Sequence, residues 1–338
     1  MDKTKQHAQS DENAQRAEVI ADRSARISVE ASPNVYRLCG FNSRQDGAKT
    51  YYMADLYYDG RSIPVYWSGS RRNEALRENV LVRPYRMKQH ADEAGRYEIG
   101  GIAALARPER DFCVFKSIPD AWNVPVELLN RMSCVVSQLP GDYRHLINSI
   151  FWNEGRLYRY CHAPASLRHH HAYRHGLLEH TLQVAEMVMR MCAAGWQSAD
   201  RDLTLVGALL HDAGKADEYV YQGRAGWRMS DRGMLLGHGT TIVEWLAVSA
   251  AQPGLSVPET AMMALTHLLT ARRGAPDWLG LRAPAMIESE LLSHADRLSA
   301  ESDLHQRLQH PAGGWGRKHH TMRQRVYTLP MDDRSRHC

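Results

Sequence analysis

Along residues 33–110 the apolar positions come in short alternating runs. They read VYRLCGF (35–41), TYYMADLYY (50–58), IPVYW (63–67), NVLVRPYRM (79–87) and RYEIGGIAALA (96–106). Alternation with a period of two is the pattern of a strand with one buried face. Gly47, the pair Asp59–Gly60, Gly69 and Gly95 fall in the breaks, and Asp-Gly between two alternating runs is a hairpin signal. Five short strands in about 75 residues predict a small β-barrel, for which the OB-fold is the commonest five-stranded choice.

After Pro119 the apolar spacing becomes helical. Helices are expected over Val126–Leu139, Tyr143–Tyr160, Leu177–Cys192, Leu203–Leu210, Gly239–Ala250 and Glu259–Ala271. The chain is thus expected to be multidomain, with an N-terminal OB-like β-barrel followed by an all-α domain. The expected boundaries are a flexible polar extension at 1–32, the barrel at 33–110, the helical domain at 119–308 and a basic tail at 309–338. Arg317, Lys318, His319, His320, Arg323 and Arg325 make that tail basic, and it reads as solvated.

Composition narrows the classes. The chain has 338 residues, enough for two domains. Mean hydropathy is −0.49, and no apolar run approaches the roughly 18 residues of a spanning helix. The start, MDKTKQHAQSDENAQRAEV, lacks the apolar core of a secretory signal. A cytoplasmic protein without a membrane partner is expected. The six cysteines are scattered with no C-x-x-C pair, which argues against a disulfide framework or a zinc ribbon. A net charge of +4 permits a nucleic-acid partner without demanding one. The 18 histidines change the picture more, because they cluster and pair with acids, as metal sites do.

The clearest cluster is spread over three helices. His180 lies near the start of one, in GLLEHTLQVA. His211 and Asp212 end the apolar run Leu203–Leu210, closed by Gly214, a residue suited to a left-handed helix end. Asp296 lies far downstream in LLSHAD. Two imidazoles and two carboxylates form a mixed N/O set that suits Mn, Fe, Co or Zn better than Mg. Lys215, four residues after His211, is placed to hold a substrate phosphate as a point charge.

The pattern H…HD…D resembles the HD superfamily of metal-dependent phosphohydrolases. APASLRHHHAYRHGLLEHTLQVAEMV (163–188), GALLHDAGK (207–215) and GMLLGHG (233–239) further resemble the YhaM-like family, 3′→5′ exoribonucleases with an N-terminal OB-fold and a C-terminal HD domain. The resemblance implies a divalent metal ion held by His180, His211, Asp212 and Asp296. It places His238 at a second metal or on the scissile phosphate, and makes Asp212, Lys215 and His238 the candidate catalytic residues. His170 and His171 match the paired histidines before GLLEHT and are expected in substrate contact or support, with Lys215, His267, Arg272 and Arg273 also on the substrate side. Glu218 falls where related chains often carry an acid. Three departures stand out: Arg272 and Arg273 replace paired histidines in HLLTARRG (267–274), His175 replaces the first glycine of a Gly-Gly, and Ser299 replaces an acid three residues after Asp296.

The expected function is a metal-dependent phosphodiesterase trimming single-stranded RNA or DNA, as the 3′→5′ exoribonucleases do; an oligomer is compatible with it. The barrel could supply a strand-binding face from Tyr51, Tyr52, Tyr57, Tyr58, Tyr66 and Trp67, with Arg44, Lys49, Arg61, Arg71, Arg72, Arg83, Arg86 and Lys88 around them. Alternation sends about half of those aromatics inward. Two other readings compete: an HD hydrolase of a small nucleotide, and a catalytically weakened nucleic-acid-binding protein of a mobile element or conjugation system.

Overall fold

The computed structural model describes residues 34–70, 73–195, 198–274, 280–320 and 322–330. The expected extension at 1–32, Arg71, Arg72 and positions 331–338 of the expected tail lie outside these residues. The chain divides into two compact units: residues up to Leu56 with Ser62–Ala104, and Tyr57–Arg61 with everything from Leu105 onward.

The first unit is a curled six-stranded sheet, OB-like in its connections. Its strands are β1 (Tyr36–Asp46), β2 (Lys49–Tyr58), β3 (Arg61–Gly69), β4 (Leu81–Tyr85), β5 (Tyr97–Glu98) and β6 (Gly101–Ala104). The order across the sheet is β5-β3-β2-β1-β4-β6. The fifth sequence run therefore divides in two. Tyr97 and Glu98 pair in parallel with Val65 and Tyr66, whereas Gly101–Ala104 pairs antiparallel with β4. Between them Ile99 N–H donates to Tyr66 O (3.1 Å) and Gly100 N–H to Tyr85 O (2.9 Å). Both outer strands of the sheet thus belong to one bent stretch, which leaves little open edge. Alternation along β2 buries Thr50, Tyr52, Ala54 and Leu56 and exposes Lys49, Tyr51 and Met53. Tyr52 stacks on Trp67 at 5.0 Å inside the curl, with Phe41 alongside.

The second unit is mainly helical. Its helices are α1 (Val126–Ser137), α2 (Gly141–Phe151), α3 (Glu154–His162), α4 (Gly176–Ala193), α5 (Arg201–Leu210), α6 (Lys215–Glu218), α7 (Asp231–Leu235), α8 (Gly237–Ala250), α9 (Glu259–Thr270) and α10 (Ile287–Leu308). The single run expected over Tyr143–Tyr160 is two helices, because Asn153 caps a new one by accepting from Arg156 N–H (2.9 Å). Asp200 caps α5 in the same way through Leu203 N–H (2.9 Å). The apolar faces of α4, α5 and α10 pack together and bury Leu182, Val184, Leu205, Val206, Leu291 and Leu292. These three helices carry the candidate ligands, so the core and the site share one scaffold.

Two short ribbons interrupt the helices: β7 (Tyr219–Tyr221) with β8 (Trp227–Met229), and β9 (Gly314–Trp315) with β10 (Tyr327–Thr328). Runs of two or three residues are too short for a period to be read from sequence. The second ribbon departs from the solvated tail expected at 309–338. Val326 is buried, Gly316 N–H donates to Val326 O (2.7 Å) and Arg317 N–H to Leu308 O (2.9 Å). Among the described residues no helix is long and apolar enough to cross a membrane.

Asn148, fully buried on α2, ties the stretch that opens this unit to the helices. Its amide donates to Glu109 O (2.9 Å) and Phe112 O (2.7 Å) and accepts from Val114 N–H (3.1 Å). Asn148→Ala removes three hydrogen bonds to the backbone and is expected to destabilise the unit by about 3 kcal/mol. Urea denaturation followed by circular dichroism checks this; a midpoint equal to wild type would show that the stretch is held by other contacts.

Candidate metal centre

The helical core brings all four expected ligands together. His180 sits one turn into α4, fully buried. His211 and Asp212 follow α5 at the joint with α6, and Asp296 projects from the middle of α10. His180 Nε2 lies 3.2 Å from His211 Nε2, 3.2 Å from Asp296 Oδ1 and 3.4 Å from Asp212 Oδ2. His211 Nε2 is 3.6 Å from Asp212 Oδ2 and 3.8 Å from Asp296 Oδ1.

The outer nitrogens decide what these atoms can do. His211 Nδ1–H donates to the Ala208 carbonyl (2.8 Å), which can only accept. Ser299 Oγ donates to Gln183 (2.8 Å) and accepts from His180 Nδ1–H (3.0 Å). His238 Nδ1–H donates to the buried Glu218 carboxylate (2.7 Å), with His238 Nε2 3.6 Å from Asp212 Oδ1. Each ring is fixed in the tautomer that leaves a lone pair on Nε2. Lone pairs and carboxylate oxygens therefore face one another, an arrangement that can hold a cation. Burial opposes charging of His180, but Asp212 and Asp296 bonded to it outweigh this and raise its pKa. Burial lowers that of His211. Burial pushes the Asp212 carboxyl up, yet Lys215, His211 and His180 hold it well below the usual carboxylate range, and Asp296 is lowered in the same way by His180 and His211.

His170 adds a fifth donor. Its Nε2 is buried without a hydrogen-bond partner, and it groups with His180 and Asp212 at ligand distances, as His180, His211 and Asp296 do. Burial and the nearby His180 and Lys215 bring its pKa down to about 4, which keeps the imidazole neutral. The donor set thus fits a divalent ion bound by mixed nitrogen and oxygen ligands.

Local backbone explains the placement. The left-handed turn expected at Gly214 does not occur, since its backbone is right-handed helical (φ −60°, ψ −18°). Glycine is needed there for a different reason: a Cβ would lie 2.2 Å from the His238 carbonyl oxygen, so only glycine lets the start of α8 rest on the His-Asp joint. Gly176 is constrained likewise by the His171 carbonyl at 2.0 Å. His175 takes φ +70°, a region costly for a non-glycine residue, and its Nδ1–H is tied to Cys161 O (2.7 Å).

The other expected residues separate. A cavity of about 350 Å³ opens onto the cluster and is lined by His170, Lys215, His238, Arg272 and Arg273, among others. Lys215 is buried, with Nζ 2.6 Å from Asp212 Oδ2, so its charge is spent largely on that ligand. Arg272 donates to the Leu269 and Ala271 carbonyls at the end of α9 (3.1 and 2.9 Å), and Arg273 pairs with Glu290. His267, expected beside the substrate, accepts from Ala285 N–H (3.1 Å) and is not among the residues lining the cavity. His171 is buried behind the site; its Nδ1 meets Tyr173 Oη (2.8 Å) and its backbone N–H donates to Asp303 (2.9 Å). Gln183 went unread in the sequence, and Ser299 registered there only as a lost acid.

Along the strands of the sheet the alternation resolves the aromatics. Tyr52, Tyr57 and Trp67 are buried, Tyr58 and Tyr66 half-buried, and Tyr51 exposed, with Met53 and Tyr85 exposed as well. The Arg96 guanidinium lies 5.5 Å over the Tyr66 ring. Lys88 is paired with Glu98 (2.6 Å).

A buried His/His-Asp/Asp centre on three packed helices is the arrangement of an HD domain, and residues 177–301 match the family described as HD domain. Over 141 residues the chain is 31% identical to the 3'-5' exoribonuclease YhaM of Bacillus licheniformis and 30% identical to that of Bacillus subtilis, covering 42% of this chain and 43% of each relative. The YhaM of Bacillus pumilus is 30% identical over 152 residues, 45% of this chain and 47% of its own. The chain spans less than half the length of the curated relatives it matches. No solved structure matches.

Because Ser299 fixes the His180 ring, Ser299→Ala is expected to weaken divalent-metal affinity roughly 10–100-fold, the usual effect of losing such a support. Chelator competition with Mn or Zn measures it. An unchanged affinity would show that packing alone orients His180.

Proposed function

We propose that this protein is a metal-dependent phosphodiesterase that trims single-stranded nucleic acid from a 3′ end. The observation that carries the reading is the acceptor-only cluster of His180, His211, Asp212 and Asp296 at the floor of an open cavity. Supporting it are the HD domain and the similarity of that part of the chain to 3'-5' exoribonucleases. The OB-like unit, with Tyr51, Tyr66 and Arg96, is suited to holding a strand by stacking and charge. Such a substrate places the work in the cytoplasm.

A bound divalent ion would polarise a phosphoryl oxygen and lower the pKa of its water toward about 7. The chain's own residues do the rest. Lys215 neutralises Asp212 and keeps it ionised. His238, oriented by Glu218, presents Nε2 to the cavity. From there it contacts the scissile phosphate, its ring held by the bond from Nδ1–H to Glu218. Arg272, lining the same cavity, offers a fixed positive charge to the phosphate. The four ligands complete one coordination sphere with His170 in reserve, and the mixed donors favour Mn, Fe, Co or Zn over Mg.

Asp212→Ala removes a ligand and its charge. Hydrolysis of end-labelled RNA or DNA with Mn, Co or Zn is expected to fall by orders of magnitude while the helical circular dichroism is retained. Near wild-type hydrolysis by the folded variant would refute the site.

One tightly bound ion per chain is expected. Arg272 and Arg273 have no lone pair to give, and His267 is engaged by Ala285. Elemental analysis after dialysis checks this, and a stoichiometry near two would show that His238 and His170 complete a second site.

A further inference from the structure

The segment from Glu218 to His238 does more than join α6 to α8. Hairpin β7–β8 projects from it, and its base is pinned to the metal centre. Ser230 N–H donates to Glu218 O (2.9 Å) and Ser230 Oγ to Asp217 O (2.8 Å). Glu218 is the same residue whose carboxylate orients His238. At the base Tyr219 is buried; two residues further, about 7 Å along the strand, Tyr221 is 62% exposed. Tyr221 pairs with Trp227 across the hairpin, and their rings stand 5.3 Å apart on one face.

The chemistry of this hairpin is uneven. Arg224 and Arg228 are exposed on it, and no acidic residue occurs from Tyr219 to Ser230. Met234 (69% exposed) and Leu235 (82% exposed) extend the apolar surface along α7. Solvated apolar side chains grouped in this way mark an interaction surface. Arg228 pairs with Val220 on the face opposite Tyr221 and Trp227 and donates to Gln222 (2.9 Å), so the cation offered together with the rings is Arg224, exposed at the turn. Rings and a turn cation on one hairpin suit a partner that presents planar rings and negative charge together. The covalent continuity with Glu218 and His238 makes that partner the substrate itself.

We propose that the β7–β8 hairpin is a strand-holding subsite of the HD domain, in which a base of single-stranded nucleic acid stacks on Tyr221 and Trp227 while Arg224 takes an adjoining phosphate. This rests on the nucleic-acid reading of the metal centre. It assigns the hairpin a positioning role, delivering the nucleotide beyond the scissile phosphate to the cavity.

Fluorescence anisotropy with labelled phosphorothioate-linked oligo(U) and oligo(dT), which resist cleavage, tests it on the full, metal-loaded chain. Tyr221→Ala combined with Arg224→Ala is expected to weaken strand affinity about tenfold or more, the scale of one lost stacked base, and to lessen its salt dependence. Tyr221→Phe, which keeps the ring, is expected to bind as wild type does. Metal content of each variant, by elemental analysis, reports whether the centre is intact. Unchanged affinity in the double variant overturns the proposal, as does a loss of self-association in light scattering with strand binding intact, which would make the patch a contact between copies. A wild-type protein that binds the strands through this hairpin but hydrolyses none of their phosphodiester-linked counterparts with any divalent metal would overturn the phosphodiesterase reading and leave the hairpin's role standing.

Discussion

The structure of the second unit depends on a buried surplus of lone pairs. Three imidazole Nε2 atoms and the oxygens of Asp212 and Asp296 are pressed together by helices that cannot relax apart without opening the apolar core. Acceptors brought together in low dielectric repel one another unless a cation lies among them. Each Nδ1–H bond, to Ala208, Ser299 or Glu218, is a small interaction. Its consequence is large, because it denies the ring its other tautomer and keeps Nε2 turned toward the carboxylates. An ion held by these atoms would stabilise the packed state, since anything that binds only the folded chain does so.

That constraint organises the rest. Gly214 and Gly176 are small because backbone carbonyls must approach the ligand-bearing turns. Lys215 is held inward against Asp212, and Arg272 lines the cavity wall. The arginines that replace paired histidines are accommodated by different means. Arg272 donates to the carbonyl end of α9, and Arg273 is paired with Glu290.

Much of this was legible in the sequence. Helical periodicity exposed the scaffold because the core helices are long and one-sided, and spacing singled out His180, His211, Asp212 and Asp296 because ligand types are rare on apolar faces. What escaped has physical reasons. The role of Ser299 is invisible one-dimensionally, since a serine on a helix carries no sign of the imidazole 119 residues away that it supports. His170 read as a substrate contact because only the fold shows its Nε2 buried and unpartnered. His267 read as a site residue although three dimensions turn it toward Ala285. The bend at Ile99–Gly100, which divides one expected strand between two partners, depends on pairing that no local pattern records. The hairpin at 219–229 was lost because three-residue strands have no measurable period.

The tautomers of His180, His211 and His238 test the central claim most directly. Nitrogen-15 NMR of histidine-labelled, zinc-loaded protein, assigned with single-histidine variants, resolves Nδ1 from Nε2 in each ring. The expected result is protonated Nδ1 in all three, with Nε2 of His180 and His211 shifted by the metal. A proton on Nε2 of His180 or His211 in the loaded protein would contradict it, since a ring protonated there cannot offer that nitrogen to the cation.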